Sequence, residues 1–256
     1  MPDELEDARE GPLTIRVGVL GSRGRMGAEV CRTVEADEEL ELSAQVDQDD
    51  PLDLLVETGT DVAVDFTTPD AVKDNIRFCL DHDIHVVVGT TGLSDTDLKE
   101  VSEWAGKAGA NVFVAPNFAL GAVLMMRFAA EAAPYFHSAE IVERHHEKKL
   151  DAPSGTALRT AYLMNKSRAE PWPVSAGREL VDGSRGGEVE GVHVHSLRVR
   201  GSVAHQEVVL GSAGETLTIR HDSIDRASFM PGVALAIKKV SSLEGLVVGL
   251  EHLLDI

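Results

Sequence analysis

Thr14 to Leu20, a β-branched run reading TIRVGVL, stops abruptly at Gly21-Ser22-Arg23-Gly24-Arg25-Met26-Gly27, and apolar positions at helical spacing follow through Val30, Val34 and Ala36. No other feature of the chain restricts its fold as tightly. Strand, glycine turn and helix in that order is the context that gives a three-glycine match its meaning. Gly21 permits the tight turn, Gly24 lets the backbone approach a pyrophosphate, and Gly27 lets the helix pack close to the strand. A second strand, Leu40 to Val46, ends at Asp47, about twenty residues beyond the turn, where a carboxylate accepts hydrogen bonds from the ribose hydroxyls of a dinucleotide. Asp47 favours NADH, because a 2′-phosphate there meets like charge. Arg23 and Arg25 offset part of that repulsion, so NADH use with appreciable NADPH use is expected.

The strand and helix patterns then alternate. DVAVDF at 61–66, HVVV at 85–88 and VFVA at 112–115 are buried-strand sequences separated by helical segments, the first opening at Thr68-Pro69-Asp70 and the second spanning about Asp95 to Ala108. Such alternation predicts an α/β fold, a Rossmann-type doubly wound parallel sheet. Gly89, Thr90 and Thr91 follow the fourth strand, and Ala115, Pro116, Asn117 and Phe118 end the fifth, where small residues line a cofactor crevice. Beyond Phe118 the alternation stops. Strands at 138–144, 192–200, 206–210 and 216–221, the last three without intervening helices, predict a second α+β domain with a mixed or antiparallel sheet. Its free face is a candidate surface for pairing with another subunit. Pro171 to Gly191, rich in Gly, Pro and charge, reads as a long surface loop. The expected division is a disordered acidic leader at 1–12, a dinucleotide-binding domain at 13–118 plus 227–256, and a substrate-binding and oligomerisation domain at 119–226.

Chemistry-bearing side chains concentrate in ERHHEKKLDAPSGTA at 143–157. This polar run joins the end of a strand to the start of a helix at Ser154-Gly155-Thr156, whose free N–H groups and positive dipole end suit an anion. Lys148 and Lys149 make a carboxylated or phosphorylated ligand the natural guest. His145 and His146 point to opposite sides of an extended chain, so one of them faces a reacting atom and serves as proton donor. A zinc site is argued against by the absence of a His-Glu-x-x-His spacing or a nearby Cys. His193 and His195 share one strand face with Leu197 and Val199, which reads as packing in a core or an interface, with a metal pair as the alternative.

The 256 residues, 43% of them hydrophobic, can bury a substantial core in two modest domains. A formal charge of -19 repels nucleic acid and anionic membranes, so an anionic substrate needs a local basic pocket. It also admits adaptation to high salt as a hypothesis. Cys31 and Cys79 read as buried thiols in a reducing compartment. The most apolar stretch, 118–136, is interrupted by Arg127 and Glu131 and reads as a packed helix. A soluble, cytoplasmic protein is expected.

Taken together, GSRGRMG at 21–27, VDFTTPD at 64–70, VGTTG at 88–92, APNF at 115–118, ERHHEKKLDAPSGTA at 143–157 and GETLTIRHDSIDRASF at 214–229 make the chain resemble the 4-hydroxy-tetrahydrodipicolinate reductase family of lysine and diaminopimelate biosynthesis. The resemblance covers nearly everything after the acidic leader. It implies a homotetramer that takes NADH or NADPH, with metal playing no part. It implies hydride transfer from the nicotinamide to a cyclic imine dicarboxylate formed by loss of water from the 4-hydroxy compound. His145 then matches the family's proton donor/acceptor and Lys149 its second proton donor. His146, Gly155 and Thr156 match substrate-binding positions. Gly21, Ser22, Arg23, Gly24, Arg25, Met26, Asp47, Gly89, Thr90, Thr91, Ala115, Pro116, Asn117 and Phe118 match cofactor contacts. Closure of a cleft between the two domains is expected during turnover. The competing readings are a non-catalytic NAD(P)-sensing protein of the same fold and a metal-dependent hydrolase.

Overall fold

A computed structural model describes residues 14–173 and 177–254, so the acidic leader expected at 1–12 lies outside the described residues. The chain divides into two compact units, 1–116 with 233–256, and 117–232.

The first unit is built on six strands: β1 (Ile15–Leu20), β2 (Leu40–Val46), β3 (Val62–Asp65), β4 (His85–Val88), β5 (Val112–Val114) and β11 (Leu246–Val248), in the spatial order β11-β5-β4-β3-β1-β2. Every pairing is parallel. A parallel sheet is covered on both faces, which is why VAVD of β3 and VFV of β5 are fully buried runs, whereas edge strand β2 alternates buried and exposed positions. Helices α1 (Arg25–Glu35), α2 (Asp53–Glu57), α3 (Val72–Asp81) and α4 (Asp95–Ala105) connect the strands, and α7 (Met230–Lys239) leads back toward β11. On one side Val72, Ile76 and Cys79 of α3 and Val101 of α4 close over Val86 and Val88. Helix α4 is shorter than its apolar pattern. It opens with a capping box between Ser94 and Asp97 and closes at Gly106. Helix α3 begins two residues after the Thr-Pro-Asp signal, because Thr68 O is used by the N–H groups of Ala71 and Val72 in a preceding turn.

The second unit carries the sheet β10-β9-β6-β8-β7, formed by β6 (Ser138–His145), β7 (Gly187–Val189), β8 (Val192–Arg198), β9 (Ala204–Ser212) and β10 (Glu215–Ser223). Only β6 and β8 run parallel; the other pairings are antiparallel. One face packs on α5 (Leu120–Ala132) and α6 (Gly155–Lys166) through Ala129, Ile141, Ala157, Ala161, Met164, Val194, Val208 and Leu210. The segment expected as an exposed loop departs from that expectation at two points. Trp172 is buried, with the Arg168 guanidinium stacked 3.8 Å from its ring centroid, and residues 187–189 add an edge strand. Cys31 and Cys79 are both buried free thiols, as expected. Burial, reinforced by the negative charge of Asp65, pushes the Cys79 thiol up to about 12. Among the described residues no helix is long and apolar enough to cross a membrane.

Candidate active site

In the first unit, β1 runs into a turn at Gly21, whose φ of +76° suits glycine and whose added Cβ would lie 2.5 Å from the Phe66 carbonyl oxygen. The N–H groups of Gly21 and Ser22 bond to Val46 O, tying the turn to the end of β2. A Cβ at Gly27 would lie 2.0 Å from Gly21 O, so the helix seats directly on the turn. Gly24 is the N-cap of α1 and has no capping side chain, which leaves the first-turn N–H groups to an incoming anion. Arg23 and Arg25 are exposed, and Ser22 is buried beneath them.

Asp47 is held from two sides. Its Oδ2 accepts the Arg23 backbone N–H at 2.8 Å and its Oδ1 accepts that of Gln48 at 2.9 Å. Those bonds, first that from Gln48 and then that from Arg23, keep its carboxyl below the usual range. Turn and carboxylate border a cavity of about 510 Å³ lined by Gly21, Gly24, Asp47, Asp50, Phe66 and Thr67 among others. Glycines crowd against backbone where a side chain would clash, and a fixed carboxylate sits at the end of β2, the arrangement of a dinucleotide-binding turn.

The loops after β3 and β4 are joined by one buried side chain. Asp65 accepts the Thr67 N–H at 3.0 Å, the Thr67 hydroxyl at 2.8 Å, the Asn75 amide at 2.8 Å and the Thr90 hydroxyl at 2.6 Å. Thr90 is therefore buried as a structural anchor, while Thr91 beside it is exposed. Gly89 lies where a Cβ would meet the Phe66 ring at 2.1 Å. Ala115 is buried and Pro116 exposed at the end of β5.

Asn117 and Phe118 fall in the second unit. Asn117 donates its side-chain amide to Thr156 Oγ1 at 3.3 Å and accepts the Ala119 N–H at 2.8 Å, thus bridging the entries of α5 and α6. At the start of α6, the Ser154 hydroxyl caps the helix by accepting the Ala157 N–H at 3.2 Å. The N–H groups of Gly155 and Thr156 belong to the first turn and have no intrahelical partner. Gly155 is exposed and a Cβ there would meet nothing within 4 Å, so open space lies at the dipole end.

Strand β6 delivers His145 to the same region. Its alternation turns Ala139, Ile141 and Glu143 inward, and His145 is next in that series. His145 Nδ1 lies 2.5 Å from Glu143 Oε2, with the imidazole 15% exposed and the carboxylate fully buried. Arg198, at the end of β8, closes on Glu143 with both terminal nitrogens at 2.9 Å. Ser154 N donates to the other carboxylate oxygen at 3.2 Å. Burial acts to raise the Glu143 pKa, but the hydrogen bonds from His145, Arg198 and Ser196 outweigh it and draw the value down to about 2. His146 is exposed on the other side of the chain. Lys149 turns back toward Asp151, with Nζ 2.8 Å from the carboxylate, and this ammonium holds Asp151 below its usual value. His195 Nε2 lies 2.6 Å from Glu140 Oε2, on the sheet face away from the helices. Among the described residues no group of three His, Cys, Asp or Glu side chains could hold a metal ion.

Glu143 and Arg198 were not among the residues singled out from sequence. The period-two pattern of β6 could have found Glu143, since it places an acid on the inward face directly before His145. Arg198 carries no local signal, because its partnership arises from β6–β8 pairing across 55 residues.

Family models for the dihydrodipicolinate reductase N-terminus and C-terminus match residues 15–118 and 121–254. The 4-hydroxy-tetrahydrodipicolinate reductase of Mycolicibacterium smegmatis is 56% identical over 245 residues, covering 94% of this chain and 100% of that protein. The enzyme of the same name from Nocardia farcinica is 53% identical over 249 residues, covering 95% and 100%. Among solved structures, the dipicolinate-bound dihydrodipicolinate reductase from Paenisporosarcina sp. TG-14 superposes with a TM-score of 0.85 at 40% identity, covering 94% of this chain and 100% of that one.

Proposed function

The chain belongs to the dihydrodipicolinate reductase family, and from that premise we propose how its own residues carry out the reduction of 4-hydroxy-tetrahydrodipicolinate. The activity is that of an oxidoreductase using a nicotinamide cofactor, within lysine and diaminopimelate biosynthesis. When bound, the cofactor supplies the hydride.

The observation that carries the assignment is the placement of a carboxylate-bound imidazole, His145, one strand end away from the capped, open N-terminus of α6. Gly155 and Thr156 offer two N–H groups and the helix dipole to one carboxylate of the substrate, with His146 and Lys149 as further donors on the loop. The Paenisporosarcina relative, described as dipicolinate bound, supports a small ring dicarboxylate as the guest. Hydride addition leaves an electron-rich product that must gain a proton, and His145 is the group placed to provide it. Lys149 serves as the second donor once it leaves Asp151.

Gly21 to Met26 cradle the pyrophosphate, Asp47 takes the ribose hydroxyls, and Gly89 to Thr91 with Ala115 to Phe118 border the rest of the cofactor. NADH is the preferred coenzyme, with NADPH also accepted. Assembly into a homotetramer in the cytoplasm completes the reading. It is supported by the face of the second sheet opposite α5 and α6, where Leu197 of β8 is 44% exposed. The decisive experiment mixes NADH with the product of the preceding synthase reaction and follows the loss of nicotinamide absorbance, for wild type and for His145→Ala. Near-wild-type turnover by His145→Ala would remove the proton-donor role, and a monomeric mass in solution would remove the tetramer.

A further inference from the structure

We propose that Glu143 is a positioning residue that sets the proton donor and the anion-binding turn together, one carboxylate oxygen for each. This inference rests on the reading of His145 and the α6 N-terminus given above. Oε2 takes the His145 Nδ1 at 2.5 Å and Arg198 Nη1 at 2.9 Å; Oε1 takes Arg198 Nη2 at 2.9 Å and the Ser154 N–H at 3.2 Å. The carboxylate has no exposed surface, so each of these bonds is made without competition from water.

An ionised carboxylate can only accept. Nδ1 of His145 therefore carries a proton in both the neutral and the charged ring, and the proton that leaves is the one on Nε2. The same acceptor fixes the ring plane, because β6 holds Glu143 and His145 two residues apart on one face. Arg198, one-fifth exposed and bound through both terminal nitrogens, keeps Glu143 ionised in spite of its burial. Through Ser154 N, the other oxygen anchors the residue that caps α6, and so sets the direction of the Gly155 and Thr156 N–H groups. A shift of β6 relative to α6 would break both arrangements at once.

Glu143→Gln tests the idea, since it conserves shape but leaves one acceptor atom for the donors of His145, Arg198, Ser196 and Ser154. Its amide must either face His145 and force the Nε2–H neutral tautomer, or face Ser154 and loosen the turn. The expected result is a fall in kcat of about 10²-fold, with the affinity for dipicolinate, used as a dicarboxylate probe, falling about 2- to 10-fold from the loss of one hydrogen bond. ¹⁵N spectra of histidine-labelled protein supply a readout that a merely structural role would leave unchanged. Wild type should show His145 as the Nδ1–H tautomer, assigned by its disappearance in His145→Gln, and Glu143→Gln should either lose it or keep it with weakened dipicolinate binding, according to the way its amide faces. A folded Glu143→Gln with unaltered kcat, tautomer and dipicolinate affinity would overturn the proposal. Should that variant not fold, an Nε2–H neutral tautomer in the wild type would overturn it equally. The tautomer measurement needs no turnover, so it stays interpretable even if His145→Ala turns over normally and the catalytic reading itself fails.

Discussion

The guanidinium of Arg23 lies 2.9 Å from the carboxylate of Asp50, and the same oxygen of Asp50 accepts the Asp47 N–H at 3.0 Å. Arg23 had the sequence position to greet a 2′-phosphate, yet its charge is already matched by Asp50, beside Asp47, the carboxylate proposed to meet the ribose. On that proposal Asp50 acts against NADPH twice, by occupying the arginine and by adding negative charge. Asp50→Asn keeps the acceptor for Asp47 N–H and removes the charge. It should improve NADPH affinity relative to NADH by about 3- to 10-fold, equivalent to about 1 kcal/mol, the upper range for an exposed ion pair. Because Arg23 is two-thirds exposed, stability should move by less than about 0.5 kcal/mol. Fluorescence titration of both coenzymes provides the ratio; an unchanged ratio would show that Arg23 is not held back by Asp50.

Asp65 illustrates a different kind of dependence. Four hydrogen bonds converge on a carboxylate with no exposed surface, all from groups that would stay buried or half-buried without it. Asp65→Ala should cost about 2–4 kcal/mol in urea unfolding, since the Asn75 amide keeps only the Thr67 hydroxyl at 3.4 Å while the two threonine hydroxyls can turn elsewhere. Asp65→Asn should cost less. Coenzyme affinity should fall in both, because Thr90 and Gly89 are positioned from this point. A loss of stability with unaltered coenzyme affinity would confine Asp65 to the fold.

Much of this arrangement was legible beforehand, for a physical reason. Strands of a parallel sheet are covered on both faces, so VAV at 62–64 and VVV at 86–88 stand out as unbroken apolar runs, and only glycine can follow β1 where φ is positive and backbone lies 2.5 Å from an added Cβ. Helix α2, five residues long, is too short to show a helical period, and β7 sits in a glycine-rich run whose composition signals a loop. Trp172 was hidden for the same reason, since its burial comes from joining a core cluster with residues distant in sequence, such as Ala129, Ile141 and Val194. In the candidate site, His145 and Ser154-Gly155-Thr156 were readable because their residue types announce their chemistry locally. The alternation of β6 marks Glu143 as inward-facing, but its role was not readable, because an acid on an inward strand face makes sense only with Arg198, which pairing of β6 with β8 supplies.

The cap on α6 can be tested apart from the chemistry. Ser154→Ala removes the hydroxyl that accepts the Ala157 N–H but leaves the backbone N–H that binds Glu143. The expected cost is about 1 kcal/mol of stability, the usual worth of a serine cap. Dicarboxylate affinity should fall with it, as the freed Ala157 N–H draws water into the turn. Calorimetric titration with dipicolinate would check this; full affinity in a destabilised variant would show that the turn holds its shape without the cap.

Glu143 also links the site to acid stability, with a definite sign. Its folded pKa of about 2 lies below the 4.5 of an unperturbed glutamate, so the unfolded chain binds the proton more tightly than the folded one. The stabilisation is fully present above about pH 4.5 and is lost as pH falls through about 2, amounting to at most about 3 kcal/mol. Asp37, Asp47, Asp151 and Asp222 are lowered as well and contribute in the same direction, so the wild-type curve alone does not isolate one group. The difference between wild type and Glu143→Gln does. At neutral pH the variant should be less stable by about 3 kcal/mol, the cost of leaving Arg198 without its buried partner. Between about pH 4.5 and 2 that gap should shrink, because the unfolded wild type takes up a proton at Glu143 that the folded protein does not yet bind. Urea unfolding across this range measures the gap directly. A gap that stays constant down to about pH 2 would mean that Glu143 titrates alike in the folded and the unfolded chain, and that His145 and Arg198 do not hold it ionised.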